Sequence, residues 1–305
     1  LYSLIPFAIG FAFTFTLTPP LAEFLKARGI VGVDIHKEDK PEVPEMVGIS
    51  ILVGFLLAAV SAYLIRKELD MMAIIVVTCL VGLLGVIDGL QRLTAFQKIV
   101  SLTAIGAILI PFLTIQTDLN FAVYLLVPIL FMCASNFTNM LAGFNGMEIG
   151  TGAIAAGGLT IVSLVQGKEF GFLMSSALFG SLIAFLYFNK FPARVFPGDV
   201  GTLIIGAIIF STAVLDSLEL AGAIIFLPYI VDAGLKYSSA GVMTRESQSP
   251  TRIEDGLLYV PSGSNLSLPR LFIKKRPMSE KEVVHRVWAV ETIACMLAIS
   301  VAIST

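Results

Sequence analysis

Ten apolar runs divide this chain, at about residues 1–19, 48–65, 71–87, 99–115, 121–135, 149–165, 171–188, 201–215, 220–236 and 284–304. Most reach the roughly 17–25 residues that an α-helix needs to cross a bilayer. In hydrocarbon every backbone N–H and C=O must find its partner within the protein, so such runs fold as helices. The expectation is an all-α polytopic membrane protein of about ten transmembrane helices, one integral membrane domain over residues 1–305. The fifth and eighth runs are short, which leaves their ends the least defined. The first lacks a basic n-region and a small-residue cleavage site, so it reads as a span and not as a signal peptide. Hydrophobic residues are 56% of the chain and charged ones 14%, with mean hydropathy +0.90. That charge content is about half the roughly 25% of a soluble domain.

The loops fall into two unequal sets. One set, at 20–47, 88–98, 136–148, 189–200 and 237–283, carries 17 of the 20 Lys and Arg residues when those bordering it are counted. The other set, short turns at 66–70, 116–120, 166–170 and 216–219, carries Arg66, Lys67 and Lys168. The positive-inside rule places the first set in the cytoplasm. Both histidines, His36 and His285, lie on that side. A transporter would be expected to place its polar groups near the bilayer midplane. A chain that gathers them at one face suits an enzyme that takes a soluble substrate from the cytoplasm and a lipid from the leaflet. Net charge is −2, so no basic field points to nucleic acid. Cys79, Cys133 and Cys295 sit in apolar runs and read as inert thiols.

Four polar segments carry candidate chemistry. In NFTNMLAGFNGMEIG (136–150), Asn136, Asn139 and Gly143 are spaced i, i+3 and i+7, which puts them on one helix face. Gly143 allows a planar group to lie against the backbone, and Asn145 offers both a donor and acceptors. A helix C-cap with small packing residues is the plainer reading. In NKFPARVFPGDVGTL (189–203), Asp199 stands where it can cap the eighth span, close to Lys190 and Arg194, with Phe196 exposed at the turn. Together they suit a metal-bound phosphate and a base. In GVIDGLQRLTAFQKI (85–99), Asp88 closes the third span and Lys98 opens the fourth; interfacial anchoring is the alternative for the cations. The first loop, 31–48, is densely charged and contains no P-loop and no Rossmann fingerprint. Two distant histidines have no zinc spacing, whereas carboxylates and Asn carbonyls suit a hard ion such as Mg²⁺. Asp232 in the ninth span is a functional candidate by its position, with an i+4 pair to Lys236 as its structural alternative. A short hairpin is expected in the last loop near 256–263.

Taken together, these segments resemble the polyprenyl-phosphate N-acetylhexosamine-1-phosphate transferase superfamily, of the glycosyltransferase family 4 type. The resemblance covers nearly the whole chain. N-x-x-N-x-x-A-G-x-N-G-x-E at 136–148 looks like the eukaryotic and archaeal dolichyl-phosphate branch, and R-V-F-x-G-D at 194–199 is similarly specific. The resemblance implies UDP-N-acetylglucosamine as donor, a polyprenyl or dolichyl phosphate as acceptor, Mg²⁺ as cofactor (Mn²⁺ as a substitute) and UMP as leaving product, in the first membrane step of glycan assembly. It implies that Asn139 and Asp199 hold the metal. Gly143 and Phe196 would sandwich uracil, with Asn145 and Ile35 beside it; Glu45 would reach the ribose, and Lys98 the phosphate. Asp34 and Lys37 resemble the family's Asp-x-x-Lys, and Asn136 and Arg194 belong to the matching motifs. The setting implied is the cell membrane of a prokaryote, an archaeon foremost, or the endoplasmic reticulum membrane of a eukaryote, with homodimerisation left open.

Two departures stand out. The family's Asp-Asp pair is Asp88-Gly89 here, and the last loop lacks the family's Arg/His cluster, for which Arg252 is the nearest substitute, with Arg245 and Arg276 behind it. The implied nucleophile is a lipid-phosphate oxygen, mostly dianionic near pH 7 because its second pKa is about 6. It needs charge neutralisation more than a strong base, and Asp88 would orient it or take its residual proton. A covalent phospho-aspartate is the other route. The rival function is an ion-coupled transporter or lipid flippase using Asp88, Asp199 and Asp232.

Overall fold

The computed structural model describes residues 4–116, 121–240, 251–261 and 263–305. Arg245 and Ser262 lie outside the described residues. Within the described residues all ten apolar runs are helical. They are α1 (Ile5–Ala27), α2 (Ile49–Arg66), α3 (Leu69–Gln91), α4 (Ala95–Gly106) continued through a 3-10 turn into α5 (Ile110–Gln116), α6 (Phe121–Met140), α7 (Met147–Val165), α8 (Glu169–Asn189), α9 (Gly198–Leu215), the pair α10 (Glu219–Ile225) and α11 (Leu227–Ala240), and, after a short helix α12 (Leu268–Lys275), α13 (Glu280–Ser304). Among the described residues eight helices are long and apolar enough to cross a membrane, nine if the α10–α11 pair, bent by 53°, is one span, against the ten expected. The apolar stretch of α6 over Tyr124–Met140 is shorter. The chain is an integral membrane protein.

The short fifth and eighth runs are completed by polar residues: α6 runs on through Asn136 and Asn139, and α9 begins at Gly198. Because α6 ends at Met140, Gly143 is not on its face, contrary to the i, i+7 expectation. The first span runs to Ala27, beyond the expected 19, and carries Pro19 and Pro20 inside the helix. Pro228 lacks an N–H for the α-helical ladder, and the ninth span breaks just before it.

Helix α9 is the most enclosed of the spans, with α8 and α7 next. Helices in lipid gain little from apolar contact, so small residues and shared hydrogen bonds bind them. Thr14 Oγ1 of α1 donates to Ser50 C=O of α2 at 3.2 Å, and Thr18 and Ser50 hydroxyls pair at 2.8 Å. A side chain at Gly206 of α9 would stand 2.1 Å from Ala134 C=O of α6, so only glycine permits that approach. On the short-loop side, Asp216 accepts from Gly171 N–H at 2.7 Å, and Arg66 pairs with Glu169.

The other side carries the irregular structure. Strands β1 (Val31–Val33) and β2 (Glu42–Pro44) pair antiparallel, as do β3 (Arg252–Glu254) and β4 (Leu257–Tyr259). The second hairpin turns on Asp255-Gly256, both at positive φ, the turn that Asp-Gly favours. A short hairpin in this loop is as the sequence suggested, but it spans 252–259 and so begins four residues earlier than the stretch expected. Asp232 makes the expected i+4 pair with Lys236 at 2.7 Å and accepts the Leu268 N–H at 2.7 Å, pinning the start of α12 to α11.

Candidate active site

Two polar clusters form where the loops converge. The first joins α3, α4 and α9. Asp88 is in the last turn of α3, where its Oδ1 accepts the Leu93 N–H at 2.8 Å and so shapes the three-residue turn into α4. A capping box of Thr94 and Gln97 starts α4 and projects Lys98 from its first turn. Lys98 Nζ then pairs with Asp88 and donates to Asp199 Oδ2 at 2.8 Å. Both carboxylates are buried, at 5% exposure each. Two like charges so enclosed need a shared cation, and the Lys98 ammonium supplies it.

Asp199 is not the N-cap of α9, as the sequence suggested. Pro197 is, and Asp199 is the second helical residue. Its carboxylate is thus free to face Lys98 while still sitting at the positive end of the helix dipole. The turn ahead of it is held by the first loop. Phe196 N–H donates to Pro44 C=O at 2.8 Å, Val47 N–H to Phe196 C=O at 3.1 Å and Gly48 N–H to Pro197 C=O at 3.0 Å. Gly198 has φ +61°, and a side chain there would come within 3.0 Å of the Met46 backbone. Phe196 is half-buried, not exposed, with its ring against Gly32, where Glu45 also rests its carboxylate. Arg194 turns away from this cluster: it is exposed and stacks on Tyr187 and Phe188, each at 5.0 Å.

Asn139, near the end of α6, accepts the Thr202 hydroxyl at 2.7 Å, one turn along α9 from Asp199. Its carbonyl oxygen keeps a second lone pair. Asn136 is one turn earlier on α6 and half-buried. The missing second carboxylate of the Asp88-Gly89 pair has a physical counterpart. A Cβ at Gly89 would stand 2.8 Å from Met46 Sδ, so the Met46 side chain fills that space.

The second cluster joins the first loop, the 141–146 loop, the 190–197 loop and α13. Asp34 accepts from Asn145 Nδ2 at 3.0 Å, and Lys37 pairs with Asp34 at 3.3 Å and with Glu280. Glu280, at the start of α13, accepts from both the backbone N–H (2.6 Å) and Nδ2 (2.7 Å) of Asn145. Asn145 Oδ1 accepts the Ala193 N–H at 2.6 Å. Beside it the His36 ring stacks on Phe144, with centroids 4.5 Å apart, and its Nε2 lies 2.9 Å from Thr251 Oγ1. Burial pushes the His36 pKa down to about 4 against the pull of Asp34, so the ring is neutral at pH 7. Gly143, at φ +127°, has open space where a side chain would be. Ile35 is exposed at 47%.

Arg252 is exposed on β3 and makes no ion pair among the described residues. Arg276 pairs with Glu282. Arg270 of α12 is half-buried, with Nη1 donating to Asn265 C=O at 3.1 Å, and adds its positive charge to that of Lys37 in the surroundings of His36. Sequence reading missed Arg270, His36 and Glu280. A mid-span carboxyl also escaped it: Glu291 of α13 is fully buried, with Cys295 Sγ 3.7 Å away.

Among the described residues no group of three His, Cys, Asp or Glu gathers for a metal. What the first cluster offers is a pair of buried carboxylates already bridged by one cation, with an amide oxygen nearby. These are hard oxygen donors of the kind Mg²⁺ takes, and Mg²⁺ keeps several waters and needs few protein ligands. The residues present fit such an ion.

The glycosyl transferase family 4 model matches residues 71–217, which hold Asp88, Lys98, Asn139, Asn145 and Asp199. A protein of Methanocaldococcus jannaschii, provisionally named a glycosyltransferase, is 38% identical over 280 residues, 90% of each chain. One of Saccharolobus solfataricus, provisionally named a UDP-N-acetylglucosamine–dolichyl-phosphate N-acetylglucosaminephosphotransferase, is 33% identical over 317 residues, 97% of this chain and 95% of its own. The phospho-N-acetylmuramoyl-pentapeptide-transferase of Bacillus subtilis is 29% identical over 254 residues, 73% of this chain and 78% of its own. With this coverage, and with the matched motifs converging on one face of the helix bundle, the chain belongs to glycosyl transferase family 4.

Proposed function

We propose that this protein transfers N-acetylglucosamine-1-phosphate from UDP-N-acetylglucosamine to a polyprenyl phosphate of the dolichyl type, releasing UMP. The observation that carries the reading is the Asp88–Lys98–Asp199 cluster, enclosed at a loop-rich face and flanked by Asn139 and Phe196. The names of the archaeal relatives favour the dolichyl acceptor and the N-acetylglucosamine donor. The excess of Lys and Arg on this face favours a cytoplasmic site.

Asp199 and Asn139 would hold Mg²⁺ or Mn²⁺, with Asp88 alongside. The ion would supply positive charge to the pyrophosphate at which the bond breaks. The chain's own residues do the rest. Lys98 neutralises one of the two approaching anions from a position fixed by both carboxylates. Asp88 faces the lipid phosphate and orients it, taking its residual proton where one remains. Phe196 and the open backbone at Gly143 receive the base, and Glu45 reaches the ribose. One lipid-phosphate oxygen attacks the sugar-bound phosphorus, the bond to the UMP phosphate breaks, and UMP carries away the electron pair. The apolar tail stays in the bilayer throughout.

Incubation of the purified protein with UDP-N-acetylglucosamine, a polyprenyl phosphate and Mg²⁺ tests this. UMP should appear only when both substrates are present. UMP release without lipid, in multiple turnovers, would make the protein a hydrolase, and no release at all would refute the reading.

A further inference from the structure

Arg194 belongs to the R-V-F-x-G-D stretch, yet it turns away from the reaction cluster and stands at the loop-rich end of a column of aromatic rings on α1 and α8. Phe7, Phe11 and Phe15 are spaced i, i+4 and i+8 on α1, and successive rings stack with centroids 6.4 and 5.8 Å apart. Phe179 of α8 lies 5.8 Å from Phe7, and Tyr187 and Phe188 lie 5.5 and 5.1 Å from Phe15. A side chain at Gly10 would stand 2.6 Å from the Ala177 C=O, so glycine lets the two helices close on each other along the column. Phe15 and Tyr187 are exposed on two membrane spans, so lipid covers them. The Arg194 guanidinium stacks over Tyr187 and Phe188, and the Lys190 ammonium lies 5.4 Å from the Tyr187 ring centre. Arg194 Nη2 donates to Tyr187 C=O at 3.0 Å, which caps α8. That cap uses one of the five guanidinium donors and balances none of the charge. Among the described residues neither cation pairs with a carboxylate, and both are exposed.

We propose that Arg194 and Lys190 seat the phosphate headgroup of an anionic phospholipid whose chains lie along the α1–α8 aromatic column. The solvent at this face is the bilayer, so the occupant is a lipid, and two cations without a counter-charge select its headgroup. The planar guanidinium, held flat on two rings, presents its remaining N–H groups as a fork that matches phosphate oxygens. Basic seats between spans on the cytoplasmic side are where anionic headgroups bind, and the excess of Lys and Arg favours that side here. The occupant is not the transfer acceptor. Its phosphate would have to reach Lys98, which sits with α3 and α9 in the cluster that Arg194 turns away from. The seat lies in the 190–197 loop, where the neighbouring Ala193 N–H is held by Asn145 Oδ1 at 2.6 Å. The lipid thus tethers from the membrane side a loop that Asn145 holds from the interior.

The test uses the full chain in detergent, with phosphatidylglycerol and phosphatidylcholine of identical chains as probes. Native mass spectrometry measures the affinity of each, and the melting temperature is followed with each added. The wild type should bind phosphatidylglycerol about tenfold or more tightly than phosphatidylcholine, the scale of one to two cations at an anionic headgroup. Phosphatidylglycerol should also raise its melting temperature more. Added salt should shrink the preference. Arg194→Gln combined with Lys190→Gln should abolish it, whereas Arg194→Lys, which keeps the charge, should keep most of it. If the double variant does not fold, Arg194→Gln alone decides on the same ratio. A wild type without preference would overturn the proposal, as would a preference that survives in the double variant. Loss of polyprenyl-phosphate binding in that variant would make the column the acceptor's seat and would overturn it too. No readout requires turnover, so the outcome stands apart from the transferase reading.

Discussion

Lys98 Nζ donates to Asp199 Oδ2 at 2.8 Å across 101 residues of sequence, and the same ammonium pairs with Asp88. One cation thus holds together the last turn of α3, the first turn of α4 and the first turn of α9. Lys98→Met removes it and leaves two buried carboxylates facing each other. Breaking such a pair costs about 3–5 kcal/mol, and losing a charge-stabilising donor at a reacting phosphate costs about 10²–10³ in turnover. The expected result is a lower melting temperature together with a loss of UMP release of that order. Thermal unfolding and rates on the same preparation check both.

Phe196 packs against Gly32 with one edge and is half-exposed on the other. Phe196→Ala should weaken UDP-sugar binding by about 1–3 kcal/mol, the worth of one aromatic stack on a base, and lipid binding by less. Titration of each substrate separately measures the difference. Equal losses would assign Phe196 to packing alone.

His36 gives the pH dependence its sign. Its folded pKa, about 4, lies below the unfolded value of 6.5. The unfolded chain therefore binds the proton first, and the stability that His36 contributes is full above pH 6.5 and is lost as pH falls toward 4. The neutral ring can accept from the Thr251 hydroxyl at Nε2, which the imidazolium cannot. His36→Gln should flatten the drop in melting temperature between these two pH values relative to the wild type. An unchanged drop would place the pH sensitivity elsewhere.

Asp88 separates two chemical routes. If it only orients the lipid phosphate, Asp88→Asn slows the reaction yet leaves residual activity, with a smaller loss at higher pH as the phosphate monoanion disappears. If it forms a phospho-enzyme, enzyme and UDP-sugar without lipid release one UMP per enzyme in a burst. Met46 fills the space beside Gly89 where the second carboxylate of an Asp-Asp pair would stand, which favours direct displacement. A stoichiometric burst that Asp88→Asn abolishes would contradict this.

The helices were legible because hydrocarbon length is a strong physical constraint, and within the described residues all ten apolar runs are helical. Asp88, Lys98 and Asp199 were legible as charges at the ends of apolar runs, and the structure brings the three together. Side-chain direction was not. Arg194 sits five residues before Asp199 yet turns to Tyr187 and Phe188, because only the chain path through 190–197 decides which way it points. Glu280 reads as an ordinary charge before a span; its long-range ion pair with Lys37 of the first loop gives it its place. Glu291 was hidden inside an otherwise apolar run.

The central claim is that Asp199, fixed by Lys98, holds the metal on which phosphoryl transfer depends. The most direct measurement is UMP release by the wild type and by Asp199→Asn across a Mg²⁺ titration that starts in excess chelator, with folding of both verified by size-exclusion and melting. The account predicts that the wild type is inactive in chelator and recovers with Mg²⁺, while Asp199→Asn stays folded and remains orders of magnitude slower at every Mg²⁺ concentration. Full activity of Asp199→Asn in chelator would contradict it.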